Sequence, residues 1–598
     1  MPLLDEIRAS KLIELAHARF DPKLNQAELT VLHDSATSHE MSSLTLAVLE
    51  NAPRPEIRAE FVRWLASDPE AAQHIDPKGI RVVAATIAGK LDLEGCHVES
   101  ILDFKYCSFQ GELNLISAET RAIYIQGSSL SRGVTADGVT VRGQLFLRQT
   151  QSEGEIHLLG ASISGDISCN GAKLNANGIA LSADNARIGG SVSLREAAQA
   201  YLRYPNGEEI PTLSSRFESA GQIRFVAAEI AGELVCTGAK LNATGFALTV
   251  DGSKIGGTVA LDGGFDCEGF ISLAGAEIGG NLLCSGAVRC SPQCVGARIG
   301  GNVIWLDIKN PSISSLDLEA ASAHGLRDER ESWPVEGHLR VKGFVYQNLE
   351  LQRRPTERSD YEPVKPSAAD RIDWLQLQDK DDIAVGQPWE QLASFFKASG
   401  DPEAAKEVLY AYERHSRGRN PLWRGTTYPW DQIVQWPWKI PIPIALLWLL
   451  GWLVFWRAHR MRLMSPTNQE ALKAFTKNGS APETYPMFHP CIYALENVLP
   501  VVRLGQDGAW QPNAASTGAG WRPFRSLLAC SGSWAKRWAG TRWILRLTRA
   551  RRRSLAAATR WRFRLTYRGV TAVRWSMIIL GWFLAIILVG AISGLFKP

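Results

Sequence analysis

"CNGAKLNANGIALSADNARIGGSVSL" occupies residues 169–194, and "CTGAKLNATGFALTVDGSKIGGTVAL" occupies residues 236–261. The two segments agree at 16 of 26 positions and begin 67 residues apart. A catalytic motif is usually written once, whereas a repeated sentence marks a repeated structural unit. Outward from this pair one short pattern recurs: Gly, any residue, aliphatic, any residue, aliphatic. It reads GKLDL at Gly89, GELNL at Gly111, GQLFL at Gly143, GSVSL at Gly190, GTVAL at Gly257, GNLLC at Gly280 and GHLRV at Gly337. Degenerate copies fill gaps, and the spacing is mostly 10 to 13 residues.

Within a copy, aliphatic and polar residues alternate, the period of a half-buried strand. After the second aliphatic comes a short step, then a small residue and another aliphatic, as in LDLEGCHV or ISLAGAEI. The step resets the phase as a corner would, and Gly tolerates the backbone angles of a corner. The expected fold is mainly β: a single-stranded β-solenoid with coils of about 22–25 residues, two units per coil, and aliphatic side chains stacked inward. Residues 79–341 would give roughly ten or eleven coils, about 50 Å of rod at about 4.8 Å per layer. An antiparallel sandwich of short strands fits less well, because the spacing is near-constant and Gly is position-specific. Residues 195–219, REAAQAYLRYPNGEEIPTLSSRFES, break the period and are expected to leave the rod as a loop.

The 598 residues carry a formal net charge of +4, but composition shifts along the chain: 17 of the 20 Trp lie after residue 370. Two apolar runs stand out there, WPWKIPIPIALLWLLGWLVFW at 436–456 and WSMIILGWFLAIILVGAISGLF at 575–596. Each is long enough to cross about 30 Å of hydrocarbon, and Trp flank and fill both, as residues of the headgroup zone do. The organisation expected is therefore an N-terminal helical cap (1–78), the solenoid (79–341), a charged linker (342–386), and a helical hairpin with a juxtamembrane segment (387–435). A first membrane helix (436–456), a basic, Trp-rich region (457–574) and a second membrane helix (575–596) complete it. The hairpin, PWEQLASFFKASGDPEAAKEVLYAYERHSR, places Ala404, Ala405, Val408 and Leu409 opposite Leu392 and Phe395. It resembles one tetratricopeptide hairpin, and a lone hairpin of that type packs on its neighbours. The first residues contain no apolar h-region, so no signal peptide is expected.

Candidate chemistry is sparse. Cys169, Cys236 and Cys284 take a slot where other copies place Leu, and Cys96 and Cys107 take the small slot of Ala. Stacking accounts for these, since a free Cys behaves as a small buried hydrophobe. Cys284, Cys290 and Cys294 fall within eleven residues, but no fourth Cys or His stands close in sequence, and a structural zinc site takes four ligands. The glycines come as GG or GA inside strand repeats; GxGxxG, the P-loop and HExxH do not occur. His97, His157 and His338 have no clustered partner, and Asp184 and Asp251 read as outward or corner residues. No catalytic, cofactor-binding or metal-binding residue is assigned, and no cofactor. The segment 534–569, WAKRWAGTRWILRLTRARRRSLAAATRWRFRLTYRG, suits an interfacial helix on anionic lipid. Its adjacency to the second apolar run favours lipid over nucleic acid as the partner.

Residues 57–95 (IRAEFVRWLASDPEAAQHIDPKGIRVVAATIAGKLDLEG), the GAxIxG repeats, PWEQLASFFKASGDPEAAKEV, and HPCIYALENVLPVVRLGQDGAW at 489–510 occur together. In combination they resemble a family of bacterial membrane proteins often labelled membrane-associated oxidoreductases. The resemblance covers most of residues 57–598 and implies architecture and membrane location. It supplies no catalytic residue to carry over.

Three functional classes follow. The first is a membrane-anchored scaffold whose solenoid surface receives a protein partner. The second is an oxidoreductase, as the family label implies. The third is a transport or signalling component built on the region between the apolar runs. The expected location is the bacterial inner membrane with the solenoid in the cytoplasm, where unpaired cysteines suit a reducing compartment. Arg457, Arg460 and Arg462, with Arg560, Arg562, Arg564, Arg568 and Arg574, argue instead for a cytoplasmic inter-span loop.

Overall fold

The computed structural model describes residues 2–20, 23–37, 54–197, 201–203, 209–211, 215–353, 362–379, 382, 385–417, 441–499, 502–513 and 566–592. The chain divides into two compact units, Met1–Arg419 and Asn420–Pro598.

The first unit is a β-solenoid of about eleven coils. One face is a parallel sheet of eleven strands, from Leu91–Asp92 to Leu339–Arg340. Each coil visits four sides. After Leu113–Asn114 on the first side, Glu119–Gln126 bends to supply the second and third. Ser129–Leu130 forms the fourth, and Val134–Thr135 opens the next coil on the first. The recurring Gly pattern thus supplies the first and third sides, and the small-residue step supplies the second and fourth.

Every side sends an aliphatic residue inward to stack on its counterpart. Val134, Ile156, Leu181, Ile223, Leu248 and Ile271 form one such column, all buried. Each contributes about 1.5–3 kcal/mol by leaving water. The two quoted segments lie two coils apart: Ile179–Ser182 pairs with Gln222–Arg224, which pairs with Phe246–Thr249. The period-breaking insertion leaves from the coil between them, and within it Tyr201–Arg203 pairs antiparallel with Glu209–Pro211.

Glycine serves two purposes at the corners, where the sequence suggested one. Between the first and second sides the turn residue is left-handed: Gly160 has φ 63° and Gly252 has φ 64°. Between the second and third sides it is not. There, a Cβ on Gly256 would fall 2.2 Å from the carbonyl oxygen of Ala231 in the coil below, and one on Gly189 would fall 2.3 Å from that of Ser164. These glycines allow close stacking and are not needed for an unusual φ.

Both ends of the rod are covered. At the start, helices Pro2–Arg19, Gln26–Ala36 and Ala59–Ser67 bury Leu12, Leu32, Phe61 and Leu65. Residues 1–78 are not wholly helical, because Glu56–Arg58 forms a strand paired with Thr86–Ala88. The fully buried Glu28 carboxylate accepts from Arg58 Nε and Nη2, each at 2.8 Å.

At the other end the expected linker 342–386 is corrected. Asn348–Arg353 is a strand that extends the third side by pairing with Ser322–Glu329, and Glu362–Val364 adds to it antiparallel. Leu349 and Leu351 turn inward from that strand while its polar residues alternate with them. Helix Ala368–Leu375 then buries Arg371, which donates to both Asp328 oxygens at 2.8 Å. Helices Gly386–Ala398 and Pro402–Arg417 close the end, burying Trp389, Leu392, Phe396, Ala405 and Val408, while Phe395 is only partly buried. Gln387 accepts from Gly343 N–H at 2.7 Å and donates to Phe344 O at 3.2 Å, and Gln391 donates to Tyr346 O at 2.8 Å. Side-chain amides thereby stand in for a further coil.

The second unit contains two helices long and apolar enough to cross a membrane, Pro441–Arg460 and Tyr567–Ile592. The second begins eight residues before the apolar run that marked it in the sequence. Residues 418–440 lie outside the described residues, and so does the Arg/Trp segment 534–569 up to residue 565. The short helix Pro490–Val498 packs with both long helices around Phe455, Tyr493, Ala494, Val498 and Met577. Strands Met464–Pro466 and Trp510–Pro512 pair antiparallel beside it.

Val259→Asp is expected to unfold the rod locally. The side chain is fully buried, and an unpartnered charge there costs about 3–5 kcal/mol. Val192→Asp, the matching position of the first quoted segment, is expected to behave alike. Chemical denaturation of both variants checks this, and wild-type stability in either would overturn the face assignment.

Candidate functional site

The corner between the second and third sides is concave over much of the rod. One groove, of about 890 Å³, runs over the coils from Ser162 to Gly300. A second, of about 670 Å³, continues it from Ser164 back to His97. Together they make a furrow across nine coils. Its floor carries only short side chains at Ser164 and Ala231 and is bare backbone toward the C-terminal end, where Gly256, Gly279 and Gly300 stack.

One wall of the furrow is a row of charges, one per coil: Arg187, Glu229, Lys254, Glu277 and Arg298. Signs alternate, so neighbours attract. Arg298 Nη1 meets Glu277 Oε1 at 2.8 Å, and Arg187 Nε meets Glu229 Oε2 at 3.6 Å. These side chains are largely exposed, so each pair stabilises by only about 0–1 kcal/mol. The row is better understood as an ordered display of charge than as a source of stability.

Just beyond the glycines, short acceptors repeat. Asp166 Oδ1 accepts from Ser191 N at 2.8 Å, and Ser191 Oγ accepts from Glu233 N at 3.1 Å. Asn281 Oδ1 accepts from Asn302 N at 2.8 Å. Each short side chain satisfies the backbone of the next coil at the same slot. The slot is the residue after the glycine that opens these copies, Gly165, Gly190 and Gly280, and its role follows from the stacking order.

The residues weighed in the sequence do not converge. His97 pairs with Glu119 at 3.0 Å, His157 with Glu155 at 2.9 Å, and His338 approaches Ser314 O at 3.3 Å, each on a different coil. Asp184 accepts from Val226 N at 2.9 Å and from Arg224 at 2.7 Å. Asp251 accepts from Ala274 N at 3.0 Å and from Ser272 Oγ at 2.5 Å. The two aspartates do the same job in two coils: each ties its corner to the coil that follows.

The cysteines point into the core. Cys290 Sγ lies 3.7 Å from Cys284 Sγ, and Cys294 is also fully buried. Among the described residues, no group of three or more His, Cys, Asp or Glu side chains could hold a metal ion. Burial pushes the Cys107, Cys169 and Cys267 thiols up to about 12, and those of Cys236, Cys290 and Cys294 also upward. The thiolate is the nucleophile and the metal ligand, so these groups are held in their inert form.

No family model, no curated protein and no solved structure matches the chain.

Two expectations follow. Gly256→Val is expected to destabilise the first unit by about 1–3 kcal/mol through overpacking, read as a lower denaturation midpoint; an unchanged midpoint would mean the coils are not stacked this closely. At pH 8 a thiol-specific chromogenic reagent is expected to leave Cys290 and Cys294 unmodified in the native protein and to react on denaturation. Rapid native labelling of either would place it at the surface.

Proposed function

We propose that this protein is a membrane-anchored scaffold: a β-solenoid that presents an ordered row of groups to a protein partner, tethered by two apolar helices. The furrow carries this reading. It runs along nine coils and displays one charge per coil over five of them, while the ends of the rod are occupied by helices and by Gln387 and Gln391. A partner therefore meets the side of the rod. Alternating charge sets its register, because a shift by one coil brings like charges together.

The resemblance to bacterial membrane proteins supports the inner membrane as the location. Arg568, within the Arg/Trp segment 534–569, and Arg574, just after it, stand at the start of the second long helix, and this reading gives that segment anionic lipid as its partner. The nine described cysteines are free thiols, which suits a rod in the reducing cytoplasm. Two crossings return the chain to the side from which it entered. The arginines flanking the inter-span region oppose that orientation, but residues 457–574 number 118, beyond the roughly 60 over which the charge rule operates.

The scaffold reading is tested with a photo-crosslinking residue at Ser162 in cells. A discrete adduct, lost when Arg187, Lys254 and Arg298 are reversed to Glu, supports it; adducts unaffected by charge reversal count against it. For orientation, a reporter active only in the cytoplasm is expected to work when inserted at Asn206 of the full chain and to fail at Thr517. The opposite pattern overturns the cytoplasmic rod.

A further inference from the structure

The furrow runs across the strands, along the axis of the rod, and this limits what can lie in it. A chain placed there meets the corner glycines, whose amide donors are already spent inside the rod. Gly189 N–H donates to Ile163 O at 2.8 Å, Gly256 N–H to Ile230 O at 2.8 Å and Gly279 N–H to Ile255 O at 2.7 Å. Gly257 and Gly280 donate likewise to Gly232 O at 2.8 Å and to Gly257 O at 2.9 Å. These amides offer nothing to an added β-strand, which binds through main-chain pairing.

Spacing narrows the choice further. The cations of the charged wall, Arg187, Lys254 and Arg298, stand two coils apart, with Glu229 and Glu277 between them. Two coils are about 9.6 Å, so the three cations span about 19 Å. A β-strand repeats one face every two residues, about 6.7 Å, and with one residue opposite Arg187 it places none opposite Lys254. An α-helix returns to one face after seven residues, about 10.5 Å, and has drifted by about 2 Å at Arg298. A polyproline II helix has three residues per turn and rises about 3.1 Å per residue, about 9.3 Å per turn. It keeps register with all three cations to within about 0.6 Å.

Charge and hydrogen bonding agree with that choice. Glu277 is engaged by Arg298 and Glu229 by Arg187. Lys254, exposed in the middle of the row, has no ion-pair partner among the described residues. A polyproline II chain makes no internal hydrogen bonds, and its prolines carry no N–H, so it lies over spent amides without leaving a donor unpaired. At the exposed Gly256, Gly279 and Gly300, no side chain stands between a pyrrolidine ring and the floor.

We propose that the furrow from Arg187 to Arg298 binds a proline-rich, acidic peptide segment in the polyproline II conformation. Every third residue of the segment presents a carboxylate, one each to Arg187, Lys254 and Arg298. This rests on the scaffold reading above and deepens it by naming the kind of segment the rod receives. Carboxylates at other spacings fall against Glu229 or Glu277, whose sign repels them.

The test is fluorescence anisotropy of labelled peptides with the full chain in detergent micelles. The first peptide is three Glu-Pro-Pro repeats. The second has the same composition with its glutamates at the first, third and fifth positions, and the third has lysine in place of each glutamate of the first. The first is expected to bind, and the other two to bind at least about fivefold more weakly, the factor that one exposed ion pair supplies. Lys254→Gln is expected to weaken the first peptide by about fivefold. Lys173→Gln, at an exposed lysine on the fourth side, is expected to leave binding unchanged. Unchanged denaturation midpoints in both variants show that the fold is retained. Equal binding of the first two peptides, no binding of the first, or binding that Lys254→Gln leaves intact overturns the proposal. The crosslink at Ser162 separates it from the scaffold reading. A charge-dependent adduct in cells without peptide binding overturns this proposal alone, whereas absence of that adduct overturns both.

Discussion

Each coil of the first unit rests on the one before it at a single strand spacing, about 4.8 Å, and the rest of that unit depends on this distance. It admits only like on like. An inward Leu must stack on another aliphatic group, as in the column from Val134 to Ile271, and Cys169 enters the corresponding slot because it is small and apolar. At Gly189 and Gly256 a Cβ would fall too close to the carbonyl oxygens of the coil below, whereas Ser164 and Ala231 carry short side chains at the same slot of the alternate coils. Just beyond, short acceptors such as Asp166 and Asn281 reach one coil up to the amide at their own slot. The furrow results from this packing. Glycine or a short side chain at most of this corner leaves a hollow, and the alternating charges of Arg187 to Arg298 line it because they occupy the neighbouring outward slot.

This explains what could be read from the amino-acid order and what could not. The solenoid was legible because a stack of equivalent slots writes the same letters at the same spacing. Its four-sided section was not, since the second and fourth sides show only a small residue and one inward aliphatic, as at Ala161 and Ile163 or Ala172 and Leu174, and so read as a corner step. Glycine hid the furrow: the letter is the same whether it serves a left-handed turn, as at Gly252, or a close approach, as at Gly256. The last parallel strand of the rod, Asn348–Arg353, passed for linker because it lacks the Gly that opens the other copies and because Glu350, Gln352 and Arg353 dominate its composition. Asp328, by contrast, gave no hint in the sequence of its buried partner Arg371, 43 residues away.

The second unit applies the same steric rule to helices. At Gly581 a Cβ would meet the Val498 carbonyl oxygen, and at Gly451 it would meet the Met577 side chain, so each glycine admits a neighbour that a larger residue would exclude. The two long helices announce themselves by length and composition. Pro490–Val498 does not, because nine residues fall below any membrane-span criterion. Its polar residues, Glu496 and Asn497, look like surface positions, yet both are buried and the Glu496 carboxylate accepts from Leu504 N–H and Asp507 N–H.

The helices and glutamine amides at the ends of the rod have a consequence for assembly. A stack of parallel coils is a growing surface: a bare terminal coil offers the same unpaired amides and carbonyls that every interior coil uses to hold its neighbour. Left open, two such ends would join, and the product would be a filament of indefinite length. Gln387 and Gln391 consume those groups at Gly343, Phe344 and Tyr346, and the helices around Phe61 cover the other end. Growth is terminated inside the chain itself, so the distance between the two ends is written in the gene and does not vary with concentration, as it would in a polymer. The rod is a gauge of one length.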